Sequence, residues 1–119
     1  MASHNDLGKF GEELAVSHLA REGFKILHTN WVSGKAEIDI IAQKGKGLHI
    51  VEVKTRSSAI FGSPQNFVTP KKIKLLMSAV NEFVQSYDFD CEVHFDIVAI
   101  TKTDTGYELE RLPDAFYYF

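Results

Sequence analysis

Three charged side chains lie within two apolar segments of the sequence, at a spacing that suits metal-assisted hydrolysis. Asp39 is flanked by isoleucines, and Glu52 and Lys54 alternate with valines further along the chain. Carboxylate oxygens are the ligands that Mg²⁺ and Mn²⁺ prefer, and Mg²⁺ leaves several coordination positions to water and phosphate. A nearby lysine can orient the attacking water or stabilise charge that builds on the phosphate. These residue types predict phosphodiester hydrolysis, with Asp39 and Glu52 as metal ligands.

The two segments are predicted to be adjacent β-strands joined by a glycine-rich turn. Strand alternation places Glu37 and Asp39 on one face, with Ile38 and Ile40 on the other. By the same rule the glutamate and lysine of the next strand share a face. If the polar faces coincide, the carboxylates converge, and the backbone carbonyl of Val53 is a plausible third metal ligand.

Clustered carboxylates in an apolar setting are costly, because like charges and burial both raise their pKa values. A bound cation is the simplest way to offset the cost of clustering these carboxylates. The alternative is a solvated sheet face with cross-strand salt bridges, since the pattern D-x(12)-E-x-K is loose. The apolar neighbours of Asp39 and Glu52 favour the metal site, because isolated charge is least tolerated in central strands.

Hydrophobic periodicity predicts the surrounding elements. Helices are predicted over Asp6–Arg21, with Gly23 as its C-cap, and from Pro70, capped by Thr69, to about Ser86. Strands are predicted over Phe24–Trp31, Ala36–Gln43, Leu48–Arg56, Cys91–Thr101 and Tyr107–Leu112. The order α-β-β-β-α-β-β predicts an α/β fold in which helices flank a mixed sheet. The third and fourth strands, joined through a helix, are predicted to be parallel, and Ser57–Phe67 is predicted to be a loop.

Composition limits the classes of protein to which the chain can belong. The chain has 119 residues, 45% hydrophobic and 24% charged, which suits one globular domain. A net charge of -3 argues against a protein that coats nucleic acid by charge alone, but less against a metal-dependent nuclease. The single cysteine, Cys91, excludes an internal disulfide and a thiolate zinc cage. No apolar segment is long enough for a membrane helix, so we expect a cytoplasmic protein with no membrane partner.

Several segments resemble the YraN-like family of small bacterial proteins, which is related to Holliday-junction resolvases. The resemblance covers nearly the whole chain through Gly8–Ala15, Gly34–Ile41, Val51–Arg56, Val68–Lys72 and Phe95–Val98. It implies the restriction-endonuclease-like fold of the PD-(D/E)xK superfamily, as one domain over residues 1–119. It also implies a Mg²⁺- or Mn²⁺-dependent endonuclease whose partner is nucleic acid, DNA in preference to RNA, including branched or junction DNA. Related resolvases are two-fold dimers, so the resemblance suggests a homodimer.

The resemblance assigns the acid pair and lysine to Asp39, Glu52 and Lys54. It adds Glu12 of the first helix, which would help to hold the metal, either directly or through water. Two solvated carboxylates near a helix N-terminus are an equal alternative for Glu12 and its neighbour. The chain departs from the family at Ala36, where glycine is usual, and this position is not a ligand.

Other charged residues are secondary candidates. Arg56 follows on the face of the Glu52 strand and would clamp a phosphate or pair with Glu37. Glu37 would support the site, or is a surface acid at a strand start. Lys71 and Lys72 open the second helix, where they would contact a nucleic-acid backbone, although a basic helix face is usually only solvated.

Asp96 lies inside an apolar strand. A structural carboxylate, bonded to backbone or to Lys72, is favoured there over a catalytic one. Two rival functions stay open. The first is a nucleic-acid-binding module with a vestigial site, in which Lys54 only neutralises Glu52. The second is an interaction protein that docks a partner through its aromatic tail, Phe116–Phe119.

Overall fold

The computed structural model describes residues 4–57, 68–86 and 92–115, with only the backbone described for residues 4–6. The elements are α1 (His4–Arg21), β1 (Lys25–Ser33), β2 (Ala36–Lys44), β3 (Gly47–Arg56), α2 (Pro70–Ser86), β4 (Glu92–Thr103) and β5 (Gly106–Leu112). The predicted order α-β-β-β-α-β-β is confirmed. The predicted loop lies outside the described residues from position 58 onward, as do Cys91 and the aromatic tail at 116–119.

The five strands form one sheet in the spatial order β1-β2-β3-β4-β5. Neighbouring strands are antiparallel, except that β3 and β4 are parallel, as predicted for strands connected through a helix. Gly34 and Gly45 make the two hairpin turns with left-handed φ values of 58° and 59°. Glycine adopts such values without steric cost, so the turns bring β1, β2 and β3 together as a meander.

The two helices cover opposite faces of the sheet. The α1-side cluster contains buried residues of α1 and of the sheet, including Ala15, Leu19, Ile40, Val51, Val98 and Ile100. The α2-side cluster contains buried residues of α2 and of the opposite sheet face, including Ile38, Ile41, Ile50, Leu76, Phe83 and Ile97. Because both faces are buried, the central strands are nearly continuous apolar runs. Within the described ranges, no helix is both long and apolar enough to span a membrane.

The alternation of side chains breaks at Asp39. Ile38 packs in the α2-side cluster, whereas Ile40 packs in the α1-side cluster, so the prediction that they share a face is wrong. Asn30 of β1 lies opposite Asp39, between two regular pairs, and has a left-handed φ of 51°. Asparagine is among the non-glycine residues that tolerate this conformation best. Irregular strand positions of this kind often redirect a side chain beside a functional site.

Both helices carry the capping residues that the sequence predicts. Beyond α1, Gly23 has a φ of 93°, and the N–H of Phe24 donates to the carbonyl of Leu19 at 3.0 Å. At the start of α2, the N–H of Lys72 donates to Thr69 Oγ1 at 3.2 Å. The second cap fixes the first turn of α2, and therefore the position of Lys72 over the sheet.

Gly11 and Gly8 of α1 provide a matched test of how closely this helix packs on β3. A Cβ at the buried Gly11 would overlap Thr55 Oγ1 and lie 3.0 Å from Thr55 Cβ, whereas Gly8 has open space. We expect Gly11→Ala to lower the free energy of unfolding by about 1–3 kcal/mol, despite its higher helix propensity. Gly8→Ala should raise it by about 0.5–1 kcal/mol. Urea unfolding measures both, and equal effects would contradict the close helix–sheet contact.

Candidate active site

Asp39 lies where β2 and β3 separate. The pairing of these strands runs from the hairpin turn to Ile40 and Val51. Just beyond this pair, Asp39 Oδ2 accepts a hydrogen bond from the backbone N–H of Val53 at 2.8 Å. The carboxylate therefore takes a donor of β3 that faces β2, and this bond holds Asp39 in the fork between the strands.

The carbonyl of Val53 faces the same fork. In a β-strand the N–H and C=O of one residue point toward the same neighbouring strand. Since the N–H of Val53 meets Asp39, its carbonyl oxygen is directed to the same side. The backbone of β3 thus directs an oxygen toward the side on which the Asp39 carboxylate lies, as the predicted ligand set requires.

Six of the predicted site residues line a cavity of about 340 Å³, called here the carboxylate cavity. It is lined by Leu7, Gly8, Glu12, Asp39, Glu52, Val53, Lys54, Thr55 and Lys72. A second cavity of about 310 Å³ lies toward α2 and shares Asp39, Glu52 and Lys72 with the first. Lys35 and Glu37 line this second cavity. Both carboxylates therefore stand at the junction of two open spaces.

Burial and neighbouring acids disfavour the charged forms of the two carboxylates. The pKa of Asp39 is raised to about 7, mainly by burial and also by the charges of Glu52 and Glu12, against the opposing hydrogen bond from Val53. Burial also raises the pKa of Glu52, and the charge of Glu37 adds to this. Proximity of acids in a partly desolvated cavity is the arrangement that a bound cation relieves.

Two lysines act on Glu52 in different ways. Lys72 Nζ forms a hydrogen-bonded ion pair with Glu52 Oε1, which lowers the pKa of that carboxyl against the effect of burial. Lys54 is exposed, and its charge also lowers the pKa of Glu52. The Lys72–Glu52 pair was not predicted, because it depends on how α2 docks on the sheet.

Arg56 and Lys71 lie away from the carboxylate cavity. Arg56 Nε is 3.4 Å from Thr101 Oγ1, and the residue does not line either space beside Asp39. Lys71 is exposed on the first turn of α2 and lines neither space. That Arg56 and Lys71 contact nucleic acid stays a prediction, and any such contact would be made outside the carboxylate cavity.

Asp96 is fully buried in a separate hydrogen-bonded network. Its carboxylate accepts from the backbone N–H of Asp114 at 2.9 Å and lies 2.7 Å from His49 Nδ1 and 3.4 Å from Arg111 Nη2. Burial raises its pKa, but these hydrogen bonds and the charges of His49 and Arg111 hold the pKa below its ordinary value. Of the two partners predicted as alternatives, backbone or Lys72, the structure has the backbone N–H, and Lys72 bonds to Glu52 instead.

The sequence model of Uncharacterised protein family UPF0102 matches residues 11–100, which include the carboxylates and lysines of the cavity. The chain belongs to the UPF0102 family. UPF0102 proteins of Flavobacterium psychrophilum and Flavobacterium johnsoniae are 60% identical over 119 residues and 55% identical over 123 residues, each covering all of both chains. A UPF0102 protein of Phocaeicola vulgatus is 39% identical over 117 residues, with 98% and 97% of the two chains covered. The predicted membership of the YraN-like family of small bacterial proteins is confirmed by these matches.

The oxygen donors of this UPF0102 protein fit an ion that keeps much of its water. In the described parts of the chain, no three His, Cys, Asp or Glu side chains are placed to hold a metal together. Mg²⁺ usually binds through one or two carboxylates plus water and substrate phosphate, rather than in a protein cage. Asp39, Glu52 and the Val53 carbonyl suit that mode. Glu12, whose charge reaches Asp39, suits a contact through water.

Proposed function

We infer that this UPF0102 protein is a Mg²⁺- or Mn²⁺-dependent endonuclease that hydrolyses phosphodiester bonds in DNA, including branched DNA. The observation that carries the proposal is the arrangement of Asp39 and Glu52 in one cavity with Lys54. Two partly desolvated carboxylates at the fork of two strands cost folding stability, and natural proteins often accept such a cost at functional sites. The family resemblance supports the same reaction.

The chain's own groups have distinct roles in this proposal. Asp39, Glu52 and the Val53 carbonyl would hold the ion, with Glu12 bonded to its water. When bound, the ion would supply activation of water and neutralise charge on the phosphate. The exposed ammonium of Lys54 would hold a phosphate oxygen and stabilise the charge that develops there.

Lys72 would act before the substrate binds. Its ammonium neutralises Glu52 within the folded protein, so that the cavity does not hold two uncompensated carboxylates. Its side chain is 42% exposed, so it can leave Glu52 for a phosphate oxygen without unfolding α2. Rotation of the Lys72 side chain would therefore be enough to replace its ammonium at Glu52 by the metal ion.

Lys54→Ala tests the proposal directly. Junction, flap, linear and single-stranded substrates, in DNA and RNA forms, are incubated with Mn²⁺, with Mg²⁺ or with chelator. We expect cleavage of DNA that requires the ion and falls by about 10²–10³-fold in Lys54→Ala, with Mn²⁺ affinity nearly unchanged. Lys46→Ala, an exposed lysine at the β2–β3 turn, is the matched control and should retain full activity. Cleavage at an unchanged rate in Lys54→Ala would indicate a contaminating nuclease.

The Lys72–Glu52 ion pair also favours a second candidate, a nucleic-acid-binding module with a vestigial site. An internal ammonium already compensates one of the two carboxylates, which is what a site without a metal would need. Isothermal titration with Mn²⁺ separates the two candidates. Absence of Mn²⁺ binding, together with absence of cleavage of every substrate, would support the vestigial site. A homodimer is a further proposal from the family resemblance, and sedimentation equilibrium tests it.

A further inference from the structure

An apolar cavity of about 270 Å³ adjoins the carboxylate cavity and shares Leu7 and Thr55 with it. Phe10 of α1 and Tyr107 of β5 line its aromatic side, and Lys102 of β4 supplies a positive charge. It is called here the aromatic cavity. The carboxylate cavity therefore has a polar, acidic centre with a cationic and aromatic space immediately beside it.

Phe10 and Tyr107 are unusually exposed for large apolar residues. They are 45% and 48% exposed, and their rings meet edge to face with centroids 5.6 Å apart and planes at 84°. An edge-to-face pair leaves ring faces open to a third planar group. The pair joins two elements from opposite ends of the chain, so its position is fixed by the sheet and α1 together.

Lysines follow the line of adjoining cavities. Lys35 lies at the α2 side of Asp39 and Glu52, Lys54 lines the carboxylate cavity, and Lys102 lines the aromatic cavity. Proteins that hold single-stranded nucleic acid combine cationic contacts along the backbone with aromatic rings on which bases stack. The shared walls of the three spaces provide both features along one path.

We propose that the aromatic cavity binds an unpaired nucleobase next to the phosphate held at Asp39 and Glu52, so that the preferred substrate is single-stranded or locally unpaired nucleic acid. A base within a duplex is stacked and paired and cannot lie against Phe10 and Tyr107 without leaving the helix. The location of the phosphate rests on the proposed function. The stacking site rests on the two rings and Lys102.

The test measures binding apart from cleavage. Single-stranded oligonucleotides of about 12 nucleotides, as DNA and as RNA, are titrated in the Lys54→Ala background with Mn²⁺ present. Adding Phe10→Ala and Tyr107→Ala is expected to weaken binding of the DNA strand about 5- to 100-fold. The same changes should leave binding of a fully abasic strand unaltered. Val32→Ala, at a 63% exposed position on β1, is the control for loss of exposed apolar surface.

A substitution that retains a ring distinguishes stacking from structure. When Tyr107→Trp takes the place of Tyr107→Ala, the affinity for the normal strand should be restored, because indole offers at least as large a face for a base. Circular dichroism checks that each variant is folded. Unchanged affinity in the double alanine variant, or equal weakening for the abasic strand, would overturn the base site. Duplex bound as tightly as single strand would do so as well.

These outcomes are separate from those of the proposed function. A protein that cleaves nothing but shows ring-dependent binding of normal strands would keep the base site and lose the nuclease. A protein that cleaves with Mn²⁺ but binds normal and abasic strands equally would keep the nuclease and lose the base site. If RNA alone shows the ring dependence, the base site stands and the preference for DNA falls.

Discussion

Asp39→Asn is expected to stabilise the metal-free protein at pH 8 by about 1–3 kcal/mol and to reduce metal-dependent cleavage by at least about 10³-fold. The two effects have one cause. The carboxylate is held in a partly desolvated fork beside Glu52, which disfavours its charged form. Asparagine keeps an oxygen that can accept from the N–H of Val53, but carries no charge to repel Glu52 or to hold a cation.

The pH dependence gives this prediction its sign. The pKa of Asp39 is about 7 in the folded protein, against an ordinary value of 3.8, so the folded protein binds more protons between these values. The contribution of the Asp39 carboxyl to the free energy of unfolding therefore falls as the pH rises from about 4 to about 7. Above that range a cost of about 4 kcal/mol persists. Asparagine removes part of this cost at pH 8. Below about pH 4 the carboxyl is mostly protonated in the folded and the unfolded protein alike, so the variant and the parent protein should differ little there.

Metal addition reverses the order of stability. A ligand that binds only the folded state at 100 times its dissociation constant stabilises by about 2.7 kcal/mol, so Mn²⁺ should raise the unfolding midpoint of the parent protein. Asp39→Asn should show almost no Mn²⁺ response. Glu13→Gln, an exposed carboxylate of α1 outside the carboxylate cavity, is the control and should behave like the parent protein. A variant that is less stable without metal at pH 8, or that keeps the Mn²⁺ response, would contradict the assigned role of Asp39.

The architecture could be predicted because its signals are local. A three- to four-residue apolar period defined both helices, and the caps at Gly23 and Thr69 depend on residues within one turn. The parallel pairing of β3 and β4 followed from their connection through α2. Each of these inferences uses neighbours in sequence or a rule about connections, and none requires knowledge of how side chains meet.

The site could be predicted only in part, because its geometry depends on contacts between distant segments. The residue types and spacing of Asp39, Glu52 and Lys54 were sufficient to select them. Strict alternation failed at Asp39, since the irregularity involves Asn30 on the neighbouring strand. An asparagine within a strand was the available signal. The ring pair of Phe10 and Tyr107 left no signal, because its members lie on α1 and β5.

Asp96→Ala is expected to lower the free energy of unfolding by about 3–5 kcal/mol without a role in cleavage. The fully buried carboxylate accepts from the N–H of Asp114 and compensates His49 and Arg111. Alanine would leave these groups without their acceptor. In the described part of the chain Arg111 Nε is already buried without a hydrogen-bond partner, so little compensation is available. Glu110→Ala, at an exposed position of β5, is the control and should change stability by less than about 0.5 kcal/mol.

Asp96→Asn separates the charge from the hydrogen bond to Asp114. The pKa of Asp96 is held below its ordinary value of 3.8, so the charged carboxylate stabilises the fold above that pH and the benefit is lost as the pH falls below it. Asparagine should therefore cost stability at pH 7 and flatten this acid-dependent loss in urea unfolding. At low temperature, where the variant is folded, its Mn²⁺ affinity and cleavage rate should equal those of the parent protein, because the Asp96 network does not line the carboxylate cavity. A loss of cleavage by the folded variant would instead place Asp96 in the reaction.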